Sequence, residues 1–132
     1  MQPIDLGAVL SLSGAAVLTT YTAGSTVYGG RPDKFRFTAT CVSVAGTAPT
    51  SFELKCSASE DGVNFYDVES EEDADEIADA PAIEHSFTIA APGTLRASLT
   101  VDGKYKHLRV SGKFTGSAGE AGESLTVSAV AT

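Results

Sequence analysis

The sequence predicts an all-β fold: an antiparallel β-sandwich, jelly-roll-like, of seven or eight strands with an extended N-terminal arm. Three observations carry this. Polarity alternates with a period of two, most clearly where Phe52, Leu54, Cys56 and Ala58 oppose Ser51, Glu53, Lys55, Ser57 and Ser59, as a half-buried strand requires. Turn signals such as Asp61-Gly62, Ala91-Pro92-Gly93 and Asp102-Gly103 separate strands that recur at roughly the ten-residue spacing of sandwiches. Small and β-favouring residues dominate and tryptophan is absent, the usage of many short strands joined by flexible turns.

Taken in order, residues 1–30 read as an arm or as the first strands. Ile4, Leu6, Ala8 and Leu10 alternate, then Leu12, Ala16, Leu18 and a Gly- and Thr-rich run break the period. Helix over 6–18 is weakened by Gly7, Gly14 and the serines. The arm either supplies the first strand of its own sheet or lies on a neighbouring subunit. Residues 31–132 form the sandwich domain. Gly30–Asp33 is a turn, Phe35–Val44 a strand, Ala45–Thr50 a loop, and residues 51–68 a strand, a tight Asp-Gly turn and a short return strand from Val63. Residues 69–82 abandon strand character for an acidic loop closed by Pro81. Strands follow at Ile83–Ala90, Leu95–Val101, Tyr105–Phe114 and Ser124–Val130, the last after a Gly- and Ser-rich loop. In Tyr105–Phe114 the inward parity of Leu108, Val110, Gly112 and Phe114 excludes Tyr105; either a bulge near Lys106-His107 reconciles them or Tyr105 is exposed at the strand's edge.

At 132 residues the chain fits one domain able to bury roughly 65–70% of its unfolded surface without a metal or disulfide. The net charge is −8, and seven of the seventeen acidic residues crowd between Glu69 and Asp79. That field repels nucleic acid and anionic membrane, so neither is an expected partner. A cationic group, Arg96, Lys104, Lys106, Arg109 and Lys113, separates the signs along the chain, as subunit docking or ordinary solvated faces would. Cys41 and Cys56 share the apolar parity of their strands and read as two buried thiols in neighbouring strands. The alternative is a disulfide closing a loop of about 15 residues, worth about 3 kcal/mol. Leu6–Leu18 is too short to span a bilayer and lacks a basic flank, which favours synthesis in a cytoplasm or use in a particle assembled there.

The phrase Cys56-Ser-Ala-Ser-Glu-Asp-Gly-Val-Asn-Phe-Tyr-Asp-Val68, followed by Lys104-Tyr-Lys-His-Leu-Arg-Val110 and Leu125-Thr-Val-Ser-Ala-Val130, resembles small β-sandwich auxiliary virion proteins of tailed bacteriophages. The resemblance covers residues 50–130. It implies a non-enzymatic capsid decoration or cement protein on the surface of a phage head, made in the host cytoplasm, binding the major capsid protein or other virion subunits. It also implies a homo-oligomer, by analogy a trimer. Head-to-tail and minor tail proteins share the structural class. The same hairpin and Tyr/Arg strand occur in discoidin-like carbohydrate-binding sandwiches, from which this chain departs in lacking tryptophan and in carrying the acidic loop.

The candidate sites follow. Partner binding falls on the arm, at Ile4, Leu6, Leu10, Leu12, Tyr21 and Tyr28; glycan binding, the alternative, on Tyr66 and Tyr105. The acidic run could offer oxygens to Ca²⁺ through Asp73, Asp75 and Glu76, although it lacks the helix–loop–helix calcium frame. No cofactor is expected. The two histidines, His85 and His107, stand in no catalytic pattern; Ser86 beside His85 is chain adjacency, with the two side chains on opposite faces of a strand.

Overall fold

The computed structural model describes residues 4–27, 32–44, 49–72 and 81–132. Two antiparallel sheets face each other. The strands are β1 (Ile4–Ser13), β2 (Thr22–Ala23), β3 (Lys34–Ser43), β4 (Ser51–Ser59), β5 (Tyr66–Val68), β6 (Glu71–Glu72), β7 (Glu84–Thr88), β8 (Gly93–Asp102), β9 (His107–Thr115) and β10 (Ser124–Ala131). The first sheet runs β1-β10-β3-β8-β6; the second runs β2-β9-β4-β5, with β7 also pairing β4. A 3-10 turn, Gly14–Ala16, follows β1.

Strand parity builds the core. Phe35, Phe37, Ala39 and Cys41 of β3 and Phe52, Leu54, Cys56 and Ala58 of β4 are buried, joined by Leu108, Val110 and Phe114 of β9 and by Leu125, Val127 and Ala129 of β10. These are the inward positions that period-two alternation assigns. Gly112 completes the inward row of β9. A Cβ there would press on Leu10, Leu54 and Leu125, so the missing side chain makes room for three leucines.

Chain order and sheet order diverge. Only β4 and β5 are consecutive strands that pair, and every other connection crosses to the opposite sheet. The Asp61-Gly62 signal therefore marks the one hairpin among the described residues, although the connection is wider than a two-residue turn. It runs from the end of β4 at Ser59 to the start of β5 at Tyr66. Asp61 caps it, accepting from Val63 N (2.8 Å), Asn64 N (2.8 Å), Asn64 Nδ2 (2.9 Å) and Ser59 Oγ (2.8 Å). Gly62 takes φ +77°, where a Cβ would be strained. The Tyr105 parity conflict is resolved without a bulge: β9 begins at His107, and Tyr105 precedes it, half-buried against the core.

The N-terminal segment joins its own sheet, β1 pairing with β10 from Ile4↔Ala131 to Ser13↔Ser124. Two irregularities interrupt the register, between Asp5 and Gly7 and between Ala8 and Leu10. The second buries both Val9 and Leu10, which strict alternation cannot do. The cysteines correct the expectation of neighbouring strands: Cys41 lies in one sheet and Cys56 in the other, and both are buried thiols. Burial pushes them up to about 11 and about 12, so both are neutral thiols near pH 7.

Candidate functional site

A sandwich has two open flanks between its sheets, and the polar chemistry of this chain gathers on one of them. There β6, the edge of the first sheet, meets β7, on the second. His85 pairs with Leu54 across the β4–β7 ladder, so its ring points inward and it is only 4% exposed. Its Nδ1 lies 3.2 Å from Glu72 Oε1 of β6, and its Nε2 lies 2.9 Å from Ser70 Oγ and 3.1 Å from the Ala82 carbonyl. Ser70 and Ala82 also bond each other through their backbones, at 2.9 and 3.0 Å. A buried side chain thus ties the two sheets together, at the foot of the acidic loop.

Serine, histidine and glutamate in hydrogen-bond sequence have the spacing of a nucleophile–base–acid relay. The details fit a fastening instead. Ser70 is 2% exposed, and its N–H is spent on Ala82, leaving no donor at that atom for an oxyanion. This trio is invisible to short-range patterns, because Ser70 and Glu72 sit in the acidic run and reach His85 only through the crossing from β6 to β7.

Next to the clasp is a cleft of about 310 Å³ whose lining includes Ser70, Lys34, Glu69, Glu71, Asp102, Lys104 and Tyr105. Lys104 Nζ sits 5.3 Å from the Tyr105 ring centre. Tyr66, on β5, is 49% exposed and is not among the residues lining this cleft, so the two candidate glycan-binding aromatics do not share it.

The partner-binding candidates scatter as well. Leu10 is buried in the core, Leu6 and Leu12 pack against it, and Ile4 is 54% exposed. Tyr21 lies on the outer face of the second sheet, its ring between Lys55 Nζ (4.6 Å) and Lys113 Nζ (4.8 Å). Its hydroxyl makes no well-aligned hydrogen bond; burial first, then the nearby Glu84 carboxylate, push the phenol above its ordinary range. Tyr28, Asp73, Asp75 and Glu76 fall outside the described residues. Among the described residues no group of three or more His, Cys, Asp or Glu could hold a metal ion, and no helix is long and apolar enough to cross a membrane.

One further buried charge escaped sequence reasoning. Glu123, 1% exposed, accepts from Glu120 N at 2.9 Å and from Ser43 Oγ and Val44 N at 3.4 Å. Its own carbonyl receives Gly14 N. The loop before β10, the end of β3 and the turn after β1 are thereby held to one residue. Comparison with known protein families, with curated proteins and with solved structures returns no match.

Proposed function

We propose that this chain is a non-enzymatic structural subunit of a phage virion, a decoration or cement protein that coats or stabilises the head by binding the major capsid protein. The observation that carries the reading is a long edge strand at the end of a closed-core sandwich. β1 is ten residues long and terminates its sheet; among the described residues, the backbone hydrogen bond that reaches it from the side away from β10 is Ser25 N to Val9 O. A long edge offers unpaired N–H and C=O groups to another chain. The sequence resemblance over residues 50–130 supplies the virion setting, and the inward packing of Leu10, with Leu6 and Leu12 half-buried against the core, shifts the contact from apolar arm residues to the backbone edge and Ile4.

Mass spectrometry of purified virions tests this, together with add-back of recombinant protein to particles lacking it. Stoichiometric copies in the virion and saturable rebinding are expected. A chain absent from virions and indifferent to capsids overturns the reading. A second reading, carbohydrate binding, has the polar cleft at Tyr105 in its favour, since an aromatic face among hydrogen-bonding groups suits a sugar ring. A glycan array answers it, with loss of binding in Tyr105→Ala as the expected result.

A further inference from the structure

The Asp61-Gly62 pair that marks the hairpin is also a reactive pair. Where glycine follows aspartate, no side chain shields the glycine nitrogen, and that nitrogen can act as a nucleophile toward the carboxyl carbon just before it. Gly62 N gives up its proton and bonds to Asp61 Cγ, the carboxyl oxygen leaves as water, and a five-membered succinimide remains. Water then reopens the ring at one of its two carbonyls. Opening at the former main-chain carbonyl leaves the chain running through Cγ, an isoaspartate, with no net change in mass and no oxidant or co-reactant consumed. The oxygen departs as water only from the neutral acid, so an ionised carboxylate is the slower electrophile.

Burial does not prevent this reaction. Asp61, Gly62, Val63 and Asn64 are all exposed. A Cβ at Gly62 would stand 3.5 Å from His107 Nε2, so an imidazole able to take up a proton lies beside the glycine. Hydrogen bonds are what withhold the two reactants. Ser59 Oγ accepts from Gly62 N at 2.9 Å and from Asp61 N at 3.3 Å, and donates to Asp61 Oδ1 at 2.8 Å. The proton that must be surrendered is thereby engaged. The carboxyl is turned forward along the chain, Oδ1 to Val63 N and Asn64 N and Oδ2 to Asn64 Nδ2, and these donors favour its ionised form. Ser59 ends β4 and is fully buried, so the strand, and not the exposed turn, fixes its hydroxyl.

We propose that Asp61-Gly62 is a latent isomerisation site, and that the Ser59 hydroxyl is the group that keeps it latent. Opening of the hairpin end releases both reactants at once. An isoaspartate lengthens the main chain by one carbon and turns the old main-chain carbonyl into a free carboxylate, so the cap cannot re-form and refolding does not undo the change. Each event therefore leaves a permanent mark of one opening. The chemistry is independent of any virion partner.

Peptide mapping of the full chain after long incubation at neutral pH, either folded in buffer or unfolded in guanidinium chloride, measures isoaspartate at residue 61. Folded wild type is expected to accumulate it at least ~10-fold more slowly than the unfolded chain, as the loss of one or more hydrogen bonds from the reacting groups implies. Folded Ser59→Ala is expected to react about 5- to 10-fold faster than folded wild type, the weight of one hydrogen bond in a rate, while Ser59→Thr, which keeps the hydroxyl, stays slow. Asp61→Asn isolates the nitrogen, because the same attack then expels ammonia and needs no neutral acid; it too is expected to react more slowly folded than unfolded. Folded wild type as fast as unfolded, Ser59→Ala no faster than wild type, or Ser59→Thr as fast as Ser59→Ala each overturns the proposal. If circular dichroism shows that Ser59→Ala does not fold, Asp61→Asn decides alone, and equal rates in its folded and unfolded forms overturn the proposal.

Discussion

The two flanks of the sandwich are closed by different chemistry. On the first, backbone does the closing. Residues 18–27 run beside β9, with hydrogen bonds from Gly24 N to Val110 O, in both directions between Val27 and Leu108, and from Phe114 N to Leu18 O, while Ser25 N reaches across to Val9 of β1. On the second flank side chains do most of it, through His85, Glu72 and Ser70, beside one backbone bridge between Ser70 and Ala82. Backbone stitching spreads over many bonds and depends on close approach; a side-chain clasp concentrates the closure in one ring. The first flank should therefore fail only with the whole domain, and the second should open by itself.

The largest effect is expected at Gly24. A Cβ there would overlap the Val9 carbonyl and crowd Val110 O and Leu10, so Gly24→Ala must push β1 and β9 apart. Overpacking together with lost backbone bonds puts the cost at about 3 kcal/mol or more, read as a lowered urea midpoint. The transition should stay single and cooperative. A separate early transition would show that the first flank, too, is an independent unit.

His85→Ala comes next. It leaves a void and strips Ser70 and Glu72 of their partner, a loss of about 2–3 kcal/mol. Amide exchange should rise at Glu71, Glu72, Glu84 and His85 well before it rises in β3 or β9. Cys56 offers a second readout. Its thiol is raised by burial and steadied by a hydrogen bond from Ser70, so its alkylation should quicken in the variant while that of Cys41, on the far sheet, does not. Equal acceleration of both thiols would mean global rather than local opening.

How much of this was legible beforehand differs between the flanks. The inward rows of β3, β4, β9 and β10 could be read from alternation, because a strand with one wet face advertises its parity. The hairpin at Asp61-Gly62 could be read from turn chemistry. Val9 and Leu10 could not, since adjacent buried residues require an irregularity set by pairing with β10. The clasp was hidden for a different reason. It joins Glu72 to His85 across a crossing between sheets, and short-range patterns say nothing of which edges a crossing brings together. The acidic composition of 69–82 also masked the two-residue strand β6 inside it, where Glu71 turns to the outer face and Glu72 to the inner.

Titration separates the thiols from the carboxylates. Both cysteines are raised in the folded state, so the unfolded chain releases these protons first. Their contribution is complete below the unfolded thiol value of about 8.5 and is lost as pH climbs through about 11 and about 12. Melting temperature should fall over that alkaline range, and Cys56→Ala should flatten the upper part of the fall. An unchanged slope in the variant would place the alkaline loss elsewhere.

The smallest effect belongs to Asp61, in the connection between β4 and β5. The Asn64 N–H first, then that of Val63, hold its carboxyl well below the usual carboxylate range. A depressed acid stabilises the fold above its unfolded value of about 3.9 and gives up that contribution as pH falls through the folded one. Asp61→Asn should therefore lower the melting temperature slightly at neutrality, where the charged carboxylate is the better acceptor, and make melting less pH-dependent below about pH 4, so that the two chains converge in acid. The side chain is fully exposed and its partners are hydrogen-bond donors rather than cations, so added salt should move this difference little. A strong salt dependence would mean that long-range repulsion among the acidic residues, and not the capped turn, sets the acid limb.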